Sequence, residues 1–383
     1  MKTLIVFLNL AIIFILLGCG RTDNPSSIKT TSKDNNIFFN IVSSTNTIKD
    51  QTGHFSIIYQ AKDSSAKPIS GLENANYTIY ENNSKTSESR IYVSKDQKSA
   101  SNNILLLLDF SGSIIQDCDQ IDATYDPSTN QYIINNESSL EDNPCFKLIT
   151  SAKQFVDKTV TNSQKMAIYY FNSKRTITAL VTSTTASATS DKIALKSGLD
   201  QLYSISFRKQ NLQGYISTNL YGAVVESIKT ACEWVGVCDY DIYKPENINV
   251  DNFNFASIVI FTDGVDQAGI VTEQEMLKFA SKHSSLYYYT IGLGDVNDRV
   301  LKQIGKDSYM KASDTQSLDK EFDLLADELN SWANSFYKID YCPATQEGEV
   351  NIKIRVIDEK KNLFGTLSEV ITLPNGIDFK CDI

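Results

Sequence analysis

Two acids, each set at the end of an apolar run, and three hydroxyls carry the chemistry that this 383-residue chain offers. Asp109 follows Ile104-Leu105-Leu106-Leu107-Leu108 and opens Asp109-Phe110-Ser111-Gly112-Ser113. Asp263 sits in Thr262-Asp263-Gly264, behind Ala256-Ser257-Ile258-Val259-Ile260-Phe261. Uninterrupted apolar runs of this length form strands buried on both faces. Each run thus delivers an acid to a strand end, where open α/β sheets bind ligands. Between them, Ser217-Thr218-Asn219-Leu220-Tyr221-Gly222-Ala223 reads as a polar loop opening a helix. Asp109, Ser111, Ser113, Thr218 and Asp263 are then five oxygen donors able to converge. Hard oxygen donors with few carboxylates suit Mg²⁺, which prefers octahedral geometry and keeps some of its water.

Each residue also has an ordinary structural role open to it. Asp109 and Asp263 could cap following helices, Ser111 and Ser113 could satisfy a turn, and Thr218 could be an N-cap. Jointly, those roles leave two acids at neighbouring strand ends with no charge compensation.

The order DxSxS, then Thr, then Asp resembles the metal-ion-dependent adhesion site of von Willebrand factor type A (VWA) domains. That resemblance implies a doubly wound, mostly parallel sheet. It implies that Ser111, Ser113 and one or two of the acids bind Mg²⁺ directly, with Mn²⁺ as the alternative ion. Thr218 would bind directly or through water. One coordination position would stay open for an Asp or Glu carboxylate of a protein partner.

The elements needed to place these donors are readable. Residues 102–336 alternate strand and helix. Strands are predicted at 104–108, 166–171, 176–181, 256–261, 286–291 and 309–312. Helices are predicted at about 146–160, 191–203, 219–233, 272–282, 296–305 and 315–336. Thr272 with Glu275 forms a capping-box pattern. Leu318, Phe322, Leu325, Leu329 and Trp332 make an apolar stripe at helical spacing. Such alternation implies a mostly parallel sheet wrapped by helices, and the short turn before 176–181 marks that strand as an antiparallel edge.

Residues 37–100 and 337–383 are rich in β-branched and aromatic residues and in turn signals. The stretch Pro68-Ile69-Ser70-Gly71-Leu72, followed by Tyr77-Thr78-Ile79-Tyr80-Glu81, resembles immunoglobulin-like segments that precede A domains in bacterial surface proteins. Three strands alone make a poor core. The expected fold class is therefore an α/β VWA-like domain, residues 101–336, inserted in a β-sandwich built from both flanking segments.

Residues 1–18 read as a secretory signal: Lys2, an apolar run from Leu4 to Leu17, then Leu16-Leu17-Gly18-Cys19. The run is short for a membrane span. Its end resembles a bacterial lipobox, which would make Cys19 the lipid-bearing N-terminus of an exported protein. Residues 19–36 read as a flexible tether. Gly20, where an inner-membrane protein would carry Asp, favours the outer membrane or the cell surface. The other six cysteines allow 15 pairings. Sequence proximity favours Cys118–Cys145, Cys232–Cys238 and Cys342–Cys381, and an exported chain favours disulfides.

The net charge of −10 offers no basic stripe, which argues against nucleic acid. The insertion from Gln116 to Pro144 is strongly acidic and falls on the metal face. With two histidines in the chain, neither in a triad-like setting, and no G-x-S-x-G elbow, an enzyme is not expected. The leading expectation is a lipid-anchored surface protein that binds a protein ligand through Mg²⁺. An envelope assembly or regulatory scaffold is the alternative, ahead of a Mg²⁺-dependent hydrolase.

Overall fold

The computed structural model describes residues 37–44, 55–64, 67–86, 91–94, 100–129, 131–185, 187–212, 214, 217–236, 253–344, 347–360 and 362–373. Five strands come first: β1 (Phe38–Ser44), β2 (Phe55–Lys62), β3 (Tyr77–Glu81), β4 (Ser84–Lys85) and β5 (Ile91–Ser94). The α/β layer opens with β6 (Ala100–Asp109), α1 (Gly112–Cys118), the hairpin β7 (Ala123–Asp126) and β8 (Gln131–Ile134), and α2 (Pro144–Thr159). It continues with β9 (Gln164–Phe171), β10 (Thr178–Val181), α3 (Lys192–Asp200), α4 (Ile205–Asn211), α5 (Leu220–Val235) and β11 (Phe253–Thr262). It closes with α6 (Glu273–Lys282), β12 (Tyr287–Leu293), α7 (Asp298–Ile304), β13 (Ser308–Ala312) and α8 (Leu318–Ala333). Three strands end the described chain: β14 (Phe336–Tyr341), β15 (Gly348–Asp358) and β16 (Leu363–Leu373).

A six-stranded sheet in the order β10-β9-β6-β11-β12-β13 is the centre of the molecule. All its pairings are parallel except β10–β9, which makes β10 the antiparallel edge. Helices cover both faces, because the central strand has two apolar faces to hide. Ile104, Leu106 and Leu108 pack into one layer with α2 and α8, while Leu105 and Leu107 pack into the other with α5. All five are fully buried. Leu318, Phe322, Leu325, Leu329 and Trp332 of α8 are buried as the stripe requires. The Thr272–Glu275 capping box closes the start of α6.

Short elements carry too few residues for periodicity to show. Helices α1 and α4 and the β7–β8 hairpin have no counterpart among the predicted elements. Helix α8 is shorter than predicted, since Ser335 turns back to the chain, its hydroxyl donating to the Trp332 carbonyl (2.7 Å).

The flanking strands form two antiparallel sheets, β1-β2-β14-β5 and β16-β15-β3-β4. Strand β14 runs between β2 and β5, and β15 runs between β16 and β3. The two sheets share one core, with Tyr59, Ile79, Tyr337, Ile339, Ile352 and Leu367 among its members. The α/β layer is thus entered from β5 and left into β14 of the same sandwich.

An aromatic cluster joins the two bodies: Ile58, Phe255, Trp332 and Phe336, with Tyr287 against it. The Trp332 ring lies 3.8 Å from Tyr287, and the Lys62 ammonium sits 4.8 Å over it. The junction also has a polar strap, in which Ala61 N donates to Ser335 O (3.0 Å) and Gln60 Nε2 to Ser335 Oγ (3.0 Å). Phe255 and Tyr287 stand at the starts of β11 and β12, so the junction occupies the pole opposite Asp109.

Cys118 and Cys145 form a disulfide, Cα to Cα 5.1 Å. Cys232 and Cys342 are also disulfide-bonded. Their expected partners, Cys238 and Cys381, lie outside the described residues, as do residues 1–18 and Cys19. Among the described residues no helix is long and apolar enough to cross a membrane.

Trp332→Ala empties the centre of the junction and is expected to destabilise the protein by about 3–5 kcal/mol, as aromatic-to-alanine changes in cores do. Urea unfolding measures it, and a loss under ~1 kcal/mol contradicts the assigned role.

Candidate metal centre

The parallel register carries Asp109 and Asp263 to one edge of the sheet. Leu108 pairs with Phe261, so Asp109 at the end of β6 stands level with Thr262 at the end of β11. Asp109 is fully buried. Its Oδ1 accepts from Ser111 N (2.9 Å) and its Oδ2 from Thr262 Oγ1 (2.7 Å). Thr262 Oγ1 in turn accepts from Gly264 N (3.2 Å). This hydroxyl therefore ties the carboxylate of one strand to the turn that carries the other acid.

Ser111 is buried and begins α1, while Ser113, in its first turn, is exposed. The Ser113 hydroxyl hydrogen-bonds Asp263. Thr218 is buried, and a methyl group placed on Gly264 would lie 3.5 Å from its hydroxyl. The Thr218 carbonyl accepts from Gln267 N (2.8 Å) and Ala268 N (3.1 Å), which holds the loop before α5 against the loop after β11. The structure thus brings all five of Asp109, Ser111, Ser113, Thr218 and Asp263 to one pole.

The simpler structural roles are filled by other residues. Asn219 caps α5, its Oδ1 accepting from Gly222 N (3.3 Å), so Thr218 is not the cap. Gly222 makes this possible, because a Cβ there would collide with the Asn219 side chain. Asp109 caps no helix, and α6 beyond Asp263 is capped by Thr272. Asp266 accepts from Tyr221 N (3.0 Å) and Gly269 N (3.2 Å), which makes it a brace for the loop.

What remains is electrostatically unfinished. No Lys or Arg pairs with Asp109 or Asp263 among the described residues. Burial, then the charge of Asp263, pushes Asp109 up to about 7 from its ordinary 3.8, against the pull of its hydrogen bonds. Burial also raises Asp263, partly offset by Ser113. Its Oδ1 is buried and has no hydrogen-bond partner. Asp117, half-buried on α1, is raised by burial and by Asp263. Among the described residues no group of three or more His, Cys, Asp or Glu gathers as a metal site. A cation here would rest on two carboxylates and neutral hydroxyls, a donor set that suits a hard dication. An orphaned buried oxygen and two acids lacking a counter-charge fit such an ion.

Thr262 and Asn172 complete the pole without having been singled out in the sequence, and Asp117 was read there only as one acid of the Gln116–Pro144 insertion. Asn172, just after β9, accepts from Asn219 N (3.0 Å) through its carbonyl and from Lys174 N (2.9 Å) through Oδ1. The available signal for Thr262 was a polar residue closing an otherwise apolar strand.

No family model matches the chain, and no curated protein matches it. Solved structures with similar folds share little sequence. Proximal thread matrix protein 1 from the mussel byssus, with a zinc-occupied MIDAS motif, is 14% identical, with 67% of this chain and 50% of that chain covered and a TM-score of 0.37. The present chain spans about half the length of that protein. The ArnB paralog VWA2 from Sulfolobus acidocaldarius is 14% identical over 88% of this chain and 76% of that chain, TM-score 0.35. The conserved hypothetical protein BatB from Bacteroides thetaiotaomicron is 19% identical over 62% of this chain and 100% of that chain, TM-score 0.36. The chemistry of the pole rests on the geometry above and not on these likenesses.

Two outcomes follow for the isolated protein. Thr262→Val keeps the shape and removes the hydroxyl. It should weaken divalent-metal binding about 10–100-fold, the usual cost of losing a group that orients a ligand, while Thr262→Ser retains binding. Calorimetric titration with Mg²⁺ decides this. The second outcome concerns pH without metal. Asp109 in the folded state keeps a proton between pH 3.8 and about 7 that the unfolded chain has released. Stability of the metal-free protein should therefore fall as pH rises through that interval and level off above it. Melting temperatures in EDTA across the interval measure the trend, and a flat or rising curve contradicts it.

Proposed function

We propose that the chain is a VWA-type binding protein whose sheet pole holds a divalent cation and presents it to a protein partner. Mg²⁺ is the favoured ion and Mn²⁺ the alternative. Asp109, Ser111, Ser113, Thr218 and Asp263 would hold it. The observation that carries this reading is the buried pair Asp109 and Asp263, without a counter-cation and with Asp263 Oδ1 unsatisfied. A buried carboxylate pair of this kind is costly unless a positive charge completes it. When bound, the ion would supply that charge, and a coordination position left free by the chain would take one further anionic oxygen.

The chain's own groups then have separate tasks. Ser111 N and Thr262 Oγ1 fix the Asp109 carboxylate. Ser113 steadies Asp263 at the exposed edge. Asn219 takes the capping duty, which leaves the Thr218 hydroxyl available. The partner's contribution is a carboxylate from Asp or Glu.

Binding in place of catalysis is supported by the residues at the pole. His283 lies at the end of α6, its Nδ1 on the Phe279 carbonyl (2.7 Å), and His54 is outside the described residues. The groups that hydrogen-bond Ser111 and Ser113 are the acids Asp109 and Asp263, which this reading gives to the cation. Val265, 40% exposed and two residues beyond Asp263, adds an apolar side chain there that also favours a protein-binding surface.

The exported, lipid-anchored reading rests on residues 1–18 and Cys19.

Titration of the purified chain with Mg²⁺ and Mn²⁺ tests the reading. One saturable site is expected, lost in Asp263→Ala. Wild-type protein that takes up neither ion ends the proposal. Partner capture from the native envelope should in turn be abolished by EDTA.

A further inference from the structure

The segment between α1 and α2 is built as a rigid arm, and its outward face has no covering element. A two-stranded sheet is marginal by itself, yet β7–β8 is secured from several sides. Ala123, Tyr132 and Ile134 pack on the main core. Asn136 clamps the base of the hairpin, its Oδ1 accepting from Asp122 N (3.0 Å) and its Nδ2 donating to Gln120 O (3.0 Å). Asn143 Nδ2 donates to Asp117 O (2.8 Å), and Cys118–Cys145 closes the segment where it meets the helices. Arg208, almost fully buried, donates through Nε to Asp119 (3.2 Å) and through Nη1 to the Leu202 and Tyr203 carbonyls.

The pleat turns Ala123, Tyr125, Tyr132 and Ile134 to one side and Thr124 and Ile133 to the other. Ile133 is 53% exposed, and no third strand joins the hairpin among the described residues. The arm leaves from α1, the helix that carries Ser113 and Asp117, so α1 joins it directly to the metal pole.

Charge fixes what can cover it. Residues 116–144 contain Asp117, Asp119, Asp122, Asp126, Glu137, Glu141 and Asp142 and no Lys or Arg. Of these, Asp122, Glu137 and Glu141 are exposed and hold no ion pair in the described structure. Across the pole, the β9–β10 turn carries Lys174 and the exposed Arg175. A partner acidic throughout would be repelled by the arm, and one lacking any acid would have nothing for the metal.

We propose that the partner is a protein segment that projects a single carboxylate from basic surroundings. The carboxylate goes to the metal, the neighbouring Lys or Arg side chains lie along the arm, and an apolar side chain packs on Ile133. This rests on the metal-binding reading above. Opposite charges across such an interface act mainly on encounter rate and partner choice.

A displayed library of random dodecapeptides, panned on the full chain in Mg²⁺ and eluted with EDTA, tests it. The probe is the library, since no partner need be known. Peptides pairing one Asp or Glu with several Lys or Arg are expected from the wild type. On the variant D122N/E137Q/E141Q the acid should persist in the eluted pool while the basic enrichment disappears. A selected synthetic peptide should bind that variant about tenfold more weakly in low salt, with the difference shrinking as salt is raised. Mg²⁺ uptake by the variant should equal that of the wild type, which shows that the fold and the metal site are intact. An EDTA-eluted pool with acids but no basic enrichment on the wild type overturns this proposal and leaves the metal reading standing. A wild type that binds no Mg²⁺ removes the metal reading, and this one with it.

Discussion

Two like charges in one poorly solvated place repel, and here the folded chain forces them together. Asp109 and Asp263 stand at the ends of neighbouring parallel strands, so neither can withdraw without breaking the register that buries both strands. The cost of holding Asp109 near neutrality is a few kcal/mol, at about 1.4 kcal/mol per pKa unit. Against it stand five fully buried residues of β6 alone, each contributing about 1.5–3 kcal/mol. The core therefore wins, and the repulsion persists as an unfilled demand for positive charge. The surrounding hydrogen bonds at the pole sharpen that demand. Thr262, Ser111 and Ser113 orient the carboxylates but bring no full charge.

Much of this was legible because the strong signals were long and periodic. The run Ile104 to Leu108 could only be a strand buried on both faces, and its residues divide between two helix layers. The stripe on α8 and the Thr272–Glu275 box were equally plain. Most donors of the pole could be named from their spacing, because Asp109, Ser111, Ser113 and Asp263 follow strands whose ends were predictable and Thr218 precedes a predictable helix. Thr262 was less visible. Its hydroxyl matters only because β6 lies beside β11, and pairing between distant strands is not a local property of sequence. The same holds for the junction, where Ile58, Phe255, Trp332 and Phe336 come from four separate elements. Helix α1 and the β7–β8 hairpin were hidden for another reason. Their seven- and four-residue lengths give periodicity too little room, and contacts to the main core hold them.

The distribution of stiffness along the sheet gives the two poles different tasks. At the sandwich pole, aromatic rings, Lys62 over Trp332 and the Ser335 bonds fill the joint. At the metal pole the loops are pinned individually, through Thr218 O, Asn219 Nδ2 on Lys174 O (2.8 Å) and Phe110 N on Phe171 O (2.8 Å). Pinning through backbone groups keeps side-chain oxygens free for other work. A pole built only for stability would use its side chains to cap and pair, and would leave no buried carboxylate oxygen without a partner.

That division bears on how the acidic arm and the metal donors act together. The arm is anchored by Arg208, a guanidinium that burial makes harder to keep charged and that Asp119 compensates. Placing a cation beneath the arm and none upon it keeps the exposed acids unneutralised. An arm meant only to shield the pole could have paired its own acids with surface lysines, as Lys153 does with Asp200 and Lys196 with Asp157 on the helices nearby. Asp122, Glu137 and Glu141 instead face solvent on a segment that leaves from the helix carrying Ser113. On the proposed reading, a partner's carboxylate would be admitted only once a cation is bound, and basic residues around that carboxylate are what the same negative field would attract.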